Sequence, residues 1–369
     1  MKVKLLHCGD FHLDAPFISL SDAGGRPEQR RRELKEALLK TVELVREEKV
    51  DMLLVCGDLY EHGYIRKSTV NFIFEQFGKI SETPVLIIPG NHDPAVAGSV
   101  YCNVGWPPNV HILAGGNGFF EHKPSGTVVY GERPAGDRID QSRINILMHH
   151  GTLDMPFNEG AYGPVSSDEL DEAGYDYCAL GHFHSRIEGA GKRGRIYNAG
   201  SPEALGFDEE GDHGVFIASV EKQNGIESTV SSGFIKLGLR HFINLNIRAD
   251  SCNTDEQAAV RAQEAMEEAG SCGDLYKITL QGRIPCGIRL DTACIADLLR
   301  DRAFYLKIID HTVPDYDFER IAGDPGLRGL FVRKMLERAA GAEDEAARRL
   351  VMKALYYGME AIDEGRVCI

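Results

Sequence analysis

Five short runs of mostly apolar residues in this chain each end in a group able to bind a cation. Residues 2–8 run into Gly9-Asp10-Phe11-His12, and 51–56 into Gly57-Asp58. Residues 84–88 run into Pro89-Gly90-Asn91-His92-Asp93, 143–148 into His149-His150-Gly151, and 175–180 into Gly181-His182-Phe183-His184. Short β-branched runs bounded by Gly and Pro read as buried strands. Loops at strand ends of open α/β sheets are where ligands bind. A sheet built from these strands gathers their terminal side chains on one edge.

The intervening sequence supports such a sheet. Residues 28–48 carry Leu34, Ala37, Leu38, Thr41, Val42 and Val45 on one helical face, and 67–80 read as a second helix. Strand, helix, strand, helix, strand predicts parallel members. From 110 to 137 the helical period fades into short strands with Gly-rich turns, and 195–197 and 214–220 add further strands. The first domain is expected to span 1–238. Residues 239–315 then read as a small β-α-β-α-β domain, with strands near 243–247, 276–284 and 305–309 and helices at 255–269 and 292–301. Residues 316–369 carry two helical patterns. One presents Leu327, Leu330, Phe331 and Met335; the other presents Leu350, Val351, Ala354, Leu355, Met359 and Ile362, with Gly341 between them.

Mixed nitrogen and oxygen donors suit manganese, iron or zinc better than magnesium or calcium. The candidates Asp10, His12, Asp58, Asn91, His92, His149, His182 and His184 are too many for one ion. They suit two, with a carboxylate such as Asp58 bridging. Ion pairs roughly 4 Å apart clamp the attacking and leaving oxygens of a phosphoryl displacement. A single strand-end His or Asp is usually a turn residue; it is the joint pattern that points to metal.

Composition bounds the setting. Apolar content of 43% with 26% charged residues is ordinary for a soluble globular protein. The first residues turn straight into motif without a signal peptide's apolar core, and no run reaches membrane-spanning length. Nine cysteines without C-x-x-C spacing suit reduced thiols and a cytoplasmic location. A net charge of −15 argues against a large nucleic-acid footprint unless bound cations or a partner's basic surface offset it.

The set D-x-H (Asp10, His12), G-D (Gly57, Asp58), G-N-H-D (Gly90 to Asp93), H-x-G (His149, Gly151) and G-H-x-H (Gly181 to His184) resembles the motifs of calcineurin-like metallophosphoesterases. The opening H-x-x-D-x-H-L-D, the G-D-L-Y-E at Gly57 to Glu61 and the Gly200-Ser201-Pro202 segment are most similar to SbcD-type DNA repair exonucleases. That resemblance implies an α/β sandwich of two mixed β-sheets flanked by helices, a small α+β cap and a helical tail. It implies two divalent ions, Mn²⁺ first, with Fe or Zn as alternatives. One ion takes Asp10, His12 and His184; the other takes Asn91, His149 and His182; Asp58 bridges. His149 is selected over His150 by the H-x-G match alone, and the two could be exchanged. His92 is implied as the catalytic residue that steadies the scissile phosphate and protonates the departing oxygen.

Some relatives have a histidine three residues after the bridging Asp, where this chain has Glu61; His62 reads as an exposed loop residue. The basic run Arg26, Arg30, Arg31 and Arg32 reads either as a phosphate contact or as a solvated helix face. The implied partners are DNA ends, an SbcC-type coiled-coil ATPase docked on the tail helices and a second copy in a homodimer, with no membrane and nucleoid association on DNA. The implied activity is an exonuclease, with endonuclease action alongside, in double-strand-break repair. A small-molecule phosphodiesterase or phosphatase of the same superfamily is the alternative, and an inactive scaffold a third reading.

Overall fold

In the computed structural model of the chain, residues 1–20, 25–115, 118–131, 139–155, 161–223 and 227–364 are described. The chain divides into two compact units, Met1–Phe242 and Ile243–Ile369. Among the described residues no helix is long and apolar enough to cross a membrane.

The first unit holds, in order, β1 (Lys2–Cys8), α1 (Arg26–Glu47), β2 (Met52–Cys56), α2 (Lys67–Gly78), β3 (Val85–Ile88), α3 (Val100–Asn103), β4 (Val110–Ile112), β5 (Phe119–His122), β6 (Thr127–Tyr130), β7 (Ile144–His150), α4 (Ser167–Ala173), β8 (Tyr177–Gly181), β9 (Ile187–Ala190), β10 (Ile196–Asn198), β11 (Gly214–Lys222) and β12 (Ser228–Lys236). They form two six-stranded mixed sheets, ordered β12-β11-β1-β2-β3-β4 and β5-β6-β7-β8-β10-β9. The pairs β1–β2, β2–β3, β6–β7 and β7–β8 are parallel, so within each sheet these strands end on one edge.

Alternate residues of each strand face the space between the sheets, as the two-residue pleat requires. Val3, Leu5, Met52, Leu54, Leu86 and Ile88 of one sheet share a core with Ile144, Ile146, Met148, Tyr177 and Ala179 of the other. Burying each such aliphatic side chain stabilises the fold by about 1.5–3 kcal/mol. The predicted apolar face of α1 is buried, from Leu34 to Val45.

His7 lies in this core and links the sheets. Its Nε2–H donates to Leu180 O at 2.8 Å, while Nδ1 accepts from the Tyr177 hydroxyl at 3.0 Å. Burial pulls its pKa from 6.5 down to about 4, against the Leu180 hydrogen bond. A depressed histidine contributes stability that is complete above pH 6.5 and is lost as pH falls towards 4, a span of about 3 kcal/mol. Denaturant titrations at pH 7 and pH 4 are expected to show His7→Gln losing less stability across that interval than the unmodified protein. Parallel loss in both would contradict it.

The basic run is not a solvated face throughout. Arg30 is fully buried, its guanidinium bonded to Glu33, to Glu203 at 2.8 Å and to Ala204 O at 2.6 Å. Arg31 Nη2 pairs with Glu28 at 2.7 Å, and its Nη1 donates to Ala15 O and Pro16 O. These two guanidiniums fasten α1 to neighbouring segments, which leaves them little freedom to hold a phosphate; Arg32 is exposed.

Differences from the expected elements have local causes. β7 runs on through His150 rather than ending at Met148. α4 begins at a capping box, in which the Ser166 side chain accepts from Glu169 N and the Glu169 side chain accepts from Ser166 N. β9 and β12 were not read: β9 is four residues long with a Gly inside, and β12 is rich in Ser.

The second unit carries β13 (Phe242–Arg248), α5 (Asp255–Ala269), β14 (Leu275–Ile284), α6 (Thr292–Leu298) and β15 (Tyr305–Pro314), in a three-stranded sheet ordered β13-β14-β15. Ala258, Ala262 and Met266 of α5 and Ile295 of α6 pack on Tyr276, Ile278 and Leu280. The tail forms α7 (Phe318–Ala322), α8 (Leu327–Ala340) and α9 (Glu345–Glu364), one helix more than the two patterns read. Ile321, Val332, Leu355 and Met359 bury one another there.

Candidate metal centre

The loops after β1 and β2 stay paired beyond the strands. Asp10 N donates to Gly57 O at 3.0 Å, His12 N to Asp58 O at 2.9 Å and Leu13 N to Leu59 O at 3.1 Å. Asp10, His12, Asp58 and His182 all have positive φ, between 45° and 95°. Such backbone costs on the order of 1 kcal/mol per residue and persists where the surroundings fix it, as at functional sites. Asp93 supplies much of that fixing. Its carboxylate accepts from Gly90 N, Asp58 N and Leu59 N and from the Tyr101 hydroxyl, at 2.6 to 3.0 Å. Gly90 is required as well, since a Cβ there would lie 2.2 Å from Asp58 Oδ1.

Three groups of ligand atoms, each within 4.8 Å of one another, result among the described residues. His12, Glu61 and His92 form one at the rim; the two more buried sets are Asp10, His12 and His184, and Asp58, His150 and His182. Asp58 stands between them, with Oδ2 3.7 Å from His12 Nε2 and 3.3 Å from His150 Nε2. Asn91 Oδ1 lies 3.0 Å from His150 Nε2 and 3.1 Å from His182 Nδ1. Asp10 accepts from His182 N, joining the two sets.

Of the two neighbouring histidines, the structure brings His150 and not His149 to the other candidate ligands. Adjacent residues of a strand point to opposite faces. His150 continues the inward series Ile144, Ile146, Met148, whereas His149 follows Leu147, which belongs to a separate core. Because β7 extends through both, only His150 reaches the other ligands. His149 Nε2–H instead donates to Gly163 O at 2.7 Å.

The donor chemistry fits cations. Nδ1–H of His12 donates to Glu61 at 2.7 Å, that of His184 to Glu209 at 2.6 Å, and that of His150 to Cys56 O at 2.9 Å. Those oxygens accept only, so in the neutral rings each Nε2 keeps its lone pair for the cluster. His12 Nε2 and His184 Nε2 face each other at 3.1 Å, and His150 Nε2 faces two oxygens. Acceptors set against acceptors need a positive charge among them. The field has that sign. Burial lowers the pKa of His150 and His184, yet Asp58 and Glu209 respectively, with help from Asp10, push both up to about 9. Burial raises Asp58, but His150 and His12 hold it at about 2. Asp10 is raised to about 6, burial outweighing the three histidines around it.

His92 sits at the rim, 46% exposed, its ring centroid 4.8 Å from that of His12. Its backbone N–H donates to Asp58 Oδ1 at 2.7 Å and its Nδ1–H to Glu61 Oε2 at 3.1 Å. That hydrogen bond raises its pKa, against partial burial.

Two supporting carboxylates were not singled out in the sequence. Glu61, read only as a departure, spans His12 and His92. Glu209 holds His184 and is itself held by Ser201 Oγ–H at 3.0 Å and Leu205 N–H at 2.9 Å. The Gly200-Ser201-Pro202 segment thus has a structural use that the sequence signalled without explaining. Glu209→Gln is expected to weaken Mn²⁺ binding about 10- to 100-fold by calorimetry. Unchanged affinity would remove Glu209 from this role.

Residues 3–186 match the family model of the calcineurin-like phosphoesterases. Over 239 residues the chain is 30% identical to an uncharacterized metallophosphoesterase, YhaO, of Bacillus subtilis (strain 168), covering 59% of this chain and 57% of that protein. It is 25% identical over 239 residues to the DNA double-strand break repair protein Mre11 of Sulfurisphaera tokodaii, covering 57% of this chain and 58% of that one. The corresponding protein of Methanopyrus kandleri is 25% identical over 263 residues, covering 61% and 56%. The chain therefore spans 56–58% of the length of these relatives.

Proposed function

From a first unit that belongs to the calcineurin-like phosphoesterases, a family of metal-dependent hydrolases, we propose that this chain hydrolyses phosphodiesters at DNA ends as an SbcD-type exonuclease. The observation that carries the reading is the pair of ligand sets with an Asp58 oxygen near a histidine of each, and His92 at their rim. The similarity to two proteins named for double-strand break repair supports the polymeric substrate.

In this reading Asp10, His12 and His184 would hold one divalent ion, and Asn91, His150 and His182 a second, with Asp58 available to both. Mn²⁺ is the first candidate, with Fe or Zn as alternatives. Such a pair supplies Lewis acidity that activates water and neutralises charge on the phosphate. The chain does the rest. Glu61 and Glu209 fix the tautomers of His12 and His184, and the linked loops keep the ligands in place before substrate arrives. His92, with Nδ1–H committed to Glu61, carries on Nε2 the proton that the departing oxygen takes. We further assign the tail helices as the dock for an SbcC-type coiled-coil ATPase, with the protein cytoplasmic and free to pair with a second copy. The net charge of −15 favours the second reading, a small-molecule phosphodiesterase.

The test compares leaving groups. His92→Ala is expected to slow Mn²⁺-dependent nucleotide release from duplex ends about 10²- to 10⁴-fold. Hydrolysis of bis(p-nitrophenyl) phosphate, whose leaving group departs without a proton, is expected to change little, with bound metal retained. Equal losses on both would overturn the role of His92. Turnover of small esters with indifference to DNA would select the second reading.

A further inference from the structure

His213 stands one residue before β11 and is 5% exposed. Its carbonyl accepts from Leu237 N at 2.9 Å and Gly238 N at 3.0 Å, which seats it against the end of β12. Its ring meets the 201–209 segment at both ends. Nδ1 lies 2.9 Å from Ser201 Oγ and from Ser201 O, and Nε2 lies 3.2 Å from Glu209 O. With the Ser201 hydroxyl donating to Glu209 Oε2, both ring nitrogens face acceptors. A proton on Nδ1 fastens the ring to Ser201, and one on Nε2 fastens it to Glu209.

The two residues that this ring spans both hold His184. Ser201 N donates to His184 O at 3.2 Å, and Glu209 Oε1 accepts from His184 Nδ1–H at 2.6 Å. Gly200 allows the approach: its φ is +74°, and a Cβ there would lie 2.4 Å from His184 O. Between Ser201 and Glu209 the near arm of the loop is anchored by Arg30, on Glu203 and on Ala204 O. The far arm brings Glu209 back towards Ser201, where the imidazole meets both.

We infer that His213 is a positioning residue for the ion assigned to Asp10, His12 and His184, acting through Ser201 and Glu209 on His184. Glu209 orients His184 only while it keeps its place relative to the backbone that Ser201 bonds, and the imidazole sets that spacing. Without it the two residues sample more positions, and metal binding has to order them again. Other ligands are held from elsewhere: His150 by Cys56 O, the His182 backbone by Asp10 and His12 by Glu61. The effect is therefore selective for one ion of the pair. The inference rests on the two-ion reading and adds to it the residue that closes the loop behind His184.

The test titrates the full chain with Mn²⁺ by calorimetry, with anomalous peak heights at limiting Mn²⁺ to tell the two positions apart. His213→Phe keeps a ring and removes both nitrogens; His213→Leu, which is smaller, is the second variant should the first fail to fold. Affinity at the first position is expected to fall about tenfold, with the second position within about twofold. His213→Asn, whose amide nitrogen can take the place of Nδ1 beside Ser201, is expected to recover to within about threefold of the unmodified protein. On bis(p-nitrophenyl) phosphate the Mn²⁺ concentration for half-maximal rate is expected to rise by the same factor, while kcat at saturating Mn²⁺ stays within about twofold. If the unmodified protein binds two ions and the variants leave both affinities unchanged, or lower both equally, His213 has no positioning role and the two-ion reading stands. If the unmodified protein binds no ion among Asp10, His12 and His184, the two-ion reading fails and the role of His213 fails with it.

Discussion

Asp58→Asn is expected to lower phosphodiester hydrolysis about 10³-fold or more, the equivalent of several kcal/mol of transition-state stabilisation. Asp58 places one oxygen within 3.7 Å of His12 Nε2 and 3.3 Å of His150 Nε2, and its other oxygen accepts from His92 N. Asparagine keeps the shape and one acceptor, so the hydrogen bond to His92 N survives and the loops stay in register. It cannot present a charged oxygen between His12 and His150. If its NH₂ occupies the Oδ2 position, a donor replaces a ligand there. Bound metal is expected to fall below two ions per chain, with the unfolding midpoint of the metal-free protein little changed. An Asp58→Asn variant that keeps two ions and its activity would mean that the carboxylate bridges nothing.

The second large effect separates two neighbours. His150→Ala is expected to lose the second ion and about 10²- to 10³-fold in rate, whereas His149→Ala keeps both ions and stays within about tenfold. The reason is the pleat of β7. His150 Nε2 lies 3.3 Å from Asp58 and 3.0 Å from Asn91, while His149 Nε2 is committed to Gly163 O. Metal content by plasma emission and rate on a p-nitrophenyl diester would decide it. The reverse ranking would restore the assignment that the H-x-G match suggested.

The strands and the donors at their ends were legible because each is a local pattern. Lys2–Cys8 and Asp255–Ala269 could be bounded to the residue, since Gly9 stops the strand and Thr254 and Gly270 cap the helix at its two ends. The choice between His149 and His150 depended instead on whether β7 stopped at Met148. A polar pair after an apolar run looks like a strand end, and the ligand field that draws His150 inward is made by residues far away in the chain. Had the alternation Ile144, Ile146, Met148 been carried two residues further, it would have picked His150. Glu209 left no such trail. It meets His184 only because the segment after β10 folds back, 25 residues along the chain. Arg30 shows the converse, a charged residue that reads as surface and is buried because Glu33 and Glu203 meet it.

The most direct test of the shared-aspartate centre is anomalous diffraction from a crystal soaked in Mn²⁺. Two peaks are expected, one among Asp10, His12 and His184 and the other among Asn91, His150 and His182, with an Asp58 oxygen in reach of both. No peak at either position, or a single ion away from Asp58, would contradict the account.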